Sequence, residues 1–237
     1  MLNPYKLTTF VLPTPNCELR TAPLSLSIEI ERAIAILCRG SEGIAAVMNT
    51  DTEQNRFSRA LEGLQRIALE RGIPIAIVGG LGAIRYGYPA ATQDIDVSVS
   101  KSQLQSFIDA APQYGFKVAW ESKSGWHTLM HGDVEINVVP EGGRARDSSP
   151  TLIPGPAEMG VESGLQYASI ESWVELKISS GRQKDRAHIV EVLKKSKEET
   201  FDSIQRHLAS VHESYAVQFA QLLSEALVER DQEKERR

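Results

Sequence analysis

Apolar residues along this chain recur with two different periods. Over residues 52–71, Phe57, Leu61, Leu64, Ala68 and Leu69 recur at helical spacing and Gly72 stands where a C-terminal cap belongs, which predicts an amphipathic helix. Residues 73–78 are a short continuous apolar run, the mark of a buried strand, with Pro74 near its start where a strand tolerates it. Gly79 and Gly80 break that run, and residues 81–86 predict a short helix stopped by Gly87 and Pro89. Residues 94–100 and 134–139 alternate apolar with polar, as half-buried strands do. Between them the pattern predicts a helix over 102–111 and strands over 116–121 and 126–130. A Gly/Pro/Ser-rich loop follows over 140–156. Helices are then expected over 170–179, 184–195 and, as one long element, 201–228, where Phe201, Ile204, Leu208, Val211, Tyr215, Leu222 and Ala226 keep the period.

Outside these elements, residues 27–38 predict a short helix, residues 1–24 specify none, and the charged run 229–237 is expected to fray. The expected organisation is therefore an N-terminal extension (1–50), an α/β core (51–155), a helical C-terminal part (156–228) and a charged tail (229–237).

Composition changes this picture little. A net charge of −5 gives no general attraction to nucleic acid, leaving only a local basic cluster at Arg182, Lys184 and Arg186. Cys17 and Cys38 fit no metal-ligand spacing and make no disulfide framework, which favours a reducing compartment. No apolar run nears the roughly 20 residues of a membrane span, and the first residues lack a secretory pattern. The expectation is a cytoplasmic protein without a membrane partner. No segment pairs a nucleophile with a base, so a covalent hydrolase is excluded.

The chemistry concentrates in residues 78–96. Two glycines after a strand let the backbone turn sharply and approach a ligand closely, and their position before a helix aims N–H groups at an anion. Asp94 and Asp96 fall on one face of an alternating strand, roughly 6.5–7 Å apart along it, so that their carboxylates can converge on magnesium. Magnesium ions about 3.5–4 Å apart can activate an attacking oxygen and stabilise a leaving one. A dinucleotide fold does not fit: Arg85 stands where its third small residue belongs, Gly87 and Pro89 cut the helix short, and no acidic residue ends a second strand about 20 positions on. His127 and His131 have helical metal-pair spacing but lie in a strand region, where they are not expected to share a face. Trp120 and Trp126 are candidates for a pocket lining or for core.

Val78-Gly79-Gly80 followed by Thr92-Gln93-Asp94-Ile95-Asp96 resembles the signature of the DNA-polymerase-β-like nucleotidyltransferases, and in particular the minimal bacterial and archaeal branch that includes the AbiEii-type toxins. Glu175-Leu176-Lys177 and Gly181-Arg182-Gln183-Lys184-Asp185 resemble that branch's later helical element, extending the resemblance over about residues 52–195. It implies an α/β (α+β) fold, a mixed sheet flanked by helices with a helical C-terminal part. It also implies that Gly79 and Gly80, with Thr92 beside them, bind a nucleoside triphosphate, that Asp94 and Asp96 bind Mg2+, and that Lys177 reaches a phosphate. The acceptor would be an RNA end or a protein hydroxyl, and the partner an antitoxin.

Two departures stand out. Asn137 occupies the position of the family's third acidic residue, with Glu135 two residues earlier on the same side as a possible substitute, and Ala90 stands where the family often has arginine. An amide cannot act as a base. The alternative reading is thus a catalytically degenerate nucleotide-binding or partner-binding protein.

Overall fold

A computed structural model describes residues 56–90, 92–122 and 125–236; the expected helix at 27–38 and both cysteines lie outside them. The chain folds as α1 (Arg56–Arg71), β1 (Ile75–Ile77), α2 (Gly79–Arg85), β2 (Asp94–Val99), α3 (Leu104–Ala110), β3 (Lys117–Glu121), β4 (His127–His131), β5 (Val134–Pro140), β6 (Leu165–Tyr167), α4 (Ile170–Ser180), α5 (Gln183–Lys195), α6 (Glu198–Val211) and α7 (Glu213–Glu235). The strands form one six-stranded sheet in the order β3-β4-β5-β2-β1-β6. It is mixed: β2 runs parallel to β5 and antiparallel to β1, while β1 runs parallel to β6. The expected mixed α/β architecture is the one observed. Among the described residues no helix is long and apolar enough to cross a membrane.

Alternation along the strands decides which face holds the core. Ile95, Val97 and Val99 of β2 and Ile136 and Val138 of β5 are fully buried in one cluster with Leu64 and Ile67 of α1 and Phe107 of α3. Their neighbours Asp94, Asp96, Glu135 and Asn137 therefore point to the opposite face. Part of that face is covered by a second, smaller cluster. In it Ile153, Met159 and Val161, from the long connection after β5, pack on Ala76, Val78 and Val139. The rest stays open between the sheet and the C-terminal helices.

Three expectations are corrected. Residues 165–167 form β6, a strand of only three residues that extends the sheet beside β1, too short for alternation to announce it. The long C-terminal helix is two helices. The chain is extended at His212 (φ −165°, ψ 131°), whose ring caps α7 by accepting from the Ser214 amide. The apolar period survives because both helices bury the same side, with Phe201, Ile204 and Leu208 of α6 meeting Tyr215, Phe219 and Leu222 of α7. The charged tail continues as helix to Glu235 instead of fraying. Lys194, 8% exposed, holds it through Glu229 at 3.2 Å and Glu233 at 2.5 Å, as well as Glu191 of its own helix at 3.0 Å.

Two polar devices tie the C-terminal helices to the core. Tyr215 OH meets Ser149 Oγ at 3.0 Å and Thr151 Oγ1 at 2.9 Å, fastening the connection after β5 to α7. His207 Nε2 of α6 bonds the buried Glu175 Oε2 of α4 at 2.7 Å, and this carboxylate raises the imidazole pKa against the opposing effect of burial. A raised folded-state value contributes stability that is complete below the unfolded pKa of about 6.5 and is lost as pH rises through the folded value. Urea melts at pH 6 and pH 9 should show this loss, on the order of 1 kcal/mol or less after solvent screening, in wild type but not in Glu175→Gln. An identical pH dependence in both proteins would rule out the contribution of the pair.

Candidate active site

The site begins where β1 ends. Val78 is extended, its N–H donating to Asp96 O at 2.9 Å, and Gly79 then takes φ +61° to turn the chain into α2. That conformation disfavours any residue with a Cβ. Space forbids one as well: a Cβ on Gly79 would stand 1.8 Å from Asp96 Oδ2, and one on Gly80 would stand 2.6 Å from Thr92 Oγ1. The glycine turn therefore lies directly against the acidic strand. The first-turn amides of α2 lack intrahelical acceptors, as at any helix start.

Trp173 of α4 locks this turn, a role the sequence did not announce. Its Nε1 donates to Gly79 O at 3.0 Å, and its ring occupies the space that a Cβ on Gly82 would need, 2.4 Å from Trp173 Cδ1. A glycine inside a short helix is the only local hint, and its partner is far along the chain.

Asp94 and Asp96 share the open face of β2 and pair in register with Glu135 and Asn137 of β5. Thr92 Oγ1 donates to Asp94 Oδ1 at 2.8 Å, and Asn137 Nδ2 donates to Asp94 Oδ2 at 3.3 Å. Asn137 Oδ1 in turn accepts from Thr128 at 3.3 Å. Burial, reinforced by the neighbouring Asp94 charge, raises the Asp96 pKa to about 6, while Lys177 and the Asn137 amide oppose the rise. Two half-buried carboxylates whose charges repel are a donor set suited to a divalent cation, and magnesium is satisfied by a few carboxylates with phosphate and water oxygens completing its shell. Among the described residues no group of three or more His, Cys, Asp or Glu is arranged to hold a metal.

Gly79, Gly80, Thr92, Asp94, Asp96, Glu135 and Lys177 all line one cleft of about 980 Å³. Its helical wall comes from α4 and α5. Lys177 there is buried (8% exposed) and bound at 2.5 Å to Asp185, itself 4% exposed, whose other oxygen accepts from Ser180. Asp185 is therefore the buried counter-ion of Lys177. His188, its ring tilted against Tyr88, comes within 3.5 Å of Lys177 Nζ, and burial together with that cation lowers its pKa. Arg182 and Lys184 stand exposed on the same wall.

The facing wall is β3, β4 and β5, carrying Trp120, Trp126, Thr128, Met130 and Glu135. Both tryptophans line the cleft, and Trp120 is 55% exposed rather than core. His127 and His131, expected to diverge, lie on the same pleat face of β4, about 13 Å apart along it. His127 is engaged by Gly125 O and Glu121, and His131 packs on Phe116, so they form no metal pair.

No protein-family model matches the chain, and no curated protein matches it significantly. Similar folds occur among solved structures. The solution structure of the antibiotic-resistance factor ANT(2'')-Ia aligns at 15% identity over 76% of this chain and 98% of that one, with a TM-score of 0.39. The Thermotoga maritima CCA-adding enzyme complexed with tRNA aligns at 15% identity over 76% of this chain and 50% of that one, with a TM-score of 0.36. A tRNA nucleotidyltransferase complexed with a primer tRNA and an ATP analogue aligns at 16% identity over 67% of this chain and 55% of that one, with a TM-score of 0.33. This chain thus spans about half the length of the latter two.

The elevated Asp96 pKa has a thermodynamic consequence. Between the unfolded value of 3.8 and about 6 the native state holds the extra proton, so stability without metal falls as pH rises through that interval. Asp96→Asn should therefore stabilise the metal-free protein at pH 7 by about 1–3 kcal/mol in urea melts and lose the difference near pH 4. Equal stability at both pH values, or destabilisation at pH 7, would contradict the buried like-charge pair.

Proposed function

We propose that this chain is a magnesium-dependent nucleotidyltransferase, moving a nucleoside monophosphate from a nucleoside triphosphate to an acceptor hydroxyl. The observation that carries the proposal is the contact between Asp96 and Gly79, which sets a carboxylate pair against a glycine turn that can receive phosphate. In this reading Gly79 and Gly80 admit the triphosphate against backbone amides, with Thr92 orienting Asp94 through its hydroxyl. Asp94 and Asp96 would hold Mg2+, which, when bound, offsets phosphate charge and favours the attacking oxygen.

The transfer is a substitution at the α-phosphorus. The acceptor oxygen forms the new P–O bond, and the bond to pyrophosphate breaks. Glu135, exposed and in register with Asp94, would in this reading receive the acceptor's proton. Asn137 has no such capacity; it donates to Asp94 and positions it. Lys177, steadied by Asp185 and by the face of Trp173 at 5.5 Å, supplies positive charge that stabilises the charge developing on the phosphates.

The resemblance to AbiEii-type toxins supports a cytoplasmic toxin with an antitoxin partner, and an RNA end or protein side chain as acceptor. A second reading is favoured by Asn137: the protein binds nucleotide, or a partner, without turnover.

Pyrophosphate release decides between them. Purified protein would be incubated with each of the four triphosphates, magnesium and a cell extract, beside the Asp94→Ala/Asp96→Ala double variant. Release in wild type should fall at least about 100-fold in the variant, as expected for groups that act on the transition state. Nucleotide binding without release would establish the non-catalytic reading, and the absence of both would exclude a nucleotide site.

A further inference from the structure

His188 lines the cleft from α5, and the transfer described above gives it no part. It follows Asp185 by one helical turn, and both side chains meet Lys177 of α4. Lys177 Nζ bonds Asp185 Oδ1 at 2.5 Å and comes within 3.5 Å of His188 Nδ1. An ammonium group only donates, so the Nδ1 that faces it carries a lone pair and the ring proton sits on Nε2. His188 is therefore neutral in the free protein.

The groups around the ring account for that state. Burial, then Lys177 and Lys184, hold the imidazole pKa below its usual value, and Asp185 opposes them. Asp185 is already committed, with one oxygen on Lys177 and the other on Ser180. On its other side the ring tilts against Tyr88 at 5.4 Å, and the Lys195 ammonium lies over that phenol ring at 5.9 Å. Across the cleft, the Asp96 carboxylate feels Lys177 and Lys184. Among the described residues no carboxylate pairs with His188.

A polyanion on this wall reverses the balance. A phosphate oxygen between Lys177 Nζ and His188 Nδ1 can accept from both only when Nδ1 carries a proton. The negative charge then favours the imidazolium over the other neutral tautomer. Resting on the nucleotidyltransferase reading, we propose that His188 is a further triphosphate-binding residue, neutral in the free protein and protonated when nucleotide is bound, so that binding takes up a proton from solvent. Affinity for nucleotide then rises as pH falls through the bound-state pKa and levels off below the free-state one.

The test titrates the full chain, in magnesium, with α,β-methylene-ATP, whose scissile link is blocked. Calorimetry at pH 7 in Pipes and in Tris, buffers of different ionisation heat, gives the protons taken up per nucleotide bound. Wild type should take up about half a proton more than His188→Gln. Between pH 6 and pH 8 its affinity should fall about fivefold more than the variant's. The proton that Asp96 gives up to a metal, and any taken up by the analogue itself, are common to both proteins and cancel in the comparison. In wild type, the sequentially assigned nitrogen-15 signals of the His188 ring should move to imidazolium values with the analogue and stay at neutral values with adenosine, which carries no phosphate. Equal proton uptake in the two proteins, or a ring that stays neutral with the analogue bound, would overturn the role of His188. Failure of wild type to bind the analogue would instead overturn the reading on which that role rests.

Discussion

The site depends on one close approach. Gly79 and Asp96 lie in adjacent antiparallel segments, so near that a single Cβ on the glycine would enter the aspartate's carboxylate. The left-handed turn at Gly79 starts α2, and the Val78 N–H bond to Asp96 O fixes the register that brings the turn beside the acid. The glycine turn and the carboxylate, to which the proposed reading gives phosphate and metal, are thereby one unit. The cost is a carboxylate pushed out of water next to another, and its elevated pKa expresses that.

The C-terminal helices complete the unit from the other side. Trp173 fills the notch left by Gly82 and holds the Gly79 carbonyl, so α4 and the glycine turn are positioned together. One turn further on, Lys177 enters the cleft with its charge already balanced by Asp185. A buried lysine without that partner would be costly to charge, and the pair keeps a cation in place at the edge of the cleft. Behind it, Glu175–His207, Tyr215 with Ser149 and Thr151, and Lys194 with the α7 carboxylates tie four helices to each other and to the connection after β5.

Much of this was legible in the sequence because it rests on short-range periodicity. β2 and β5 alternate because one face meets the main core and the other faces the cleft and its smaller apolar cover. That alternation put Asp94 with Asp96 on one side of β2 and Glu135 with Asn137 on one side of β5, and the pairing of the two strands joins the sets. The glycine pair was visible as a break between a strand and a short helix. What could not be read were features set by distant partners. β6 is a strand only because β1 offers it an edge. The break at His212 leaves the apolar period intact, and the charged end of α7 stays helical because Lys194 collects its carboxylates. Trp173 looked like an ordinary helix residue until the fold brought it to the cleft, and Asp185, though part of a helical motif the sequence singled out, could not be read as the buried partner of Lys177. Trp120 had the composition of core and proved to be exposed wall, since β3 is the outer strand of the sheet.

Because the glycine turn and the acid pair form one unit, phosphate and magnesium should bind cooperatively at them. The most direct test is calorimetric titration of a non-hydrolysable ATP analogue into the protein, with magnesium and then with a chelator. Binding at least about tenfold tighter with magnesium, the gain vanishing in Gly79→Ala, is the expected result. Equal affinity with and without the metal would show that Asp94 and Asp96 take no part in holding the nucleotide, and the proposed active site would not stand.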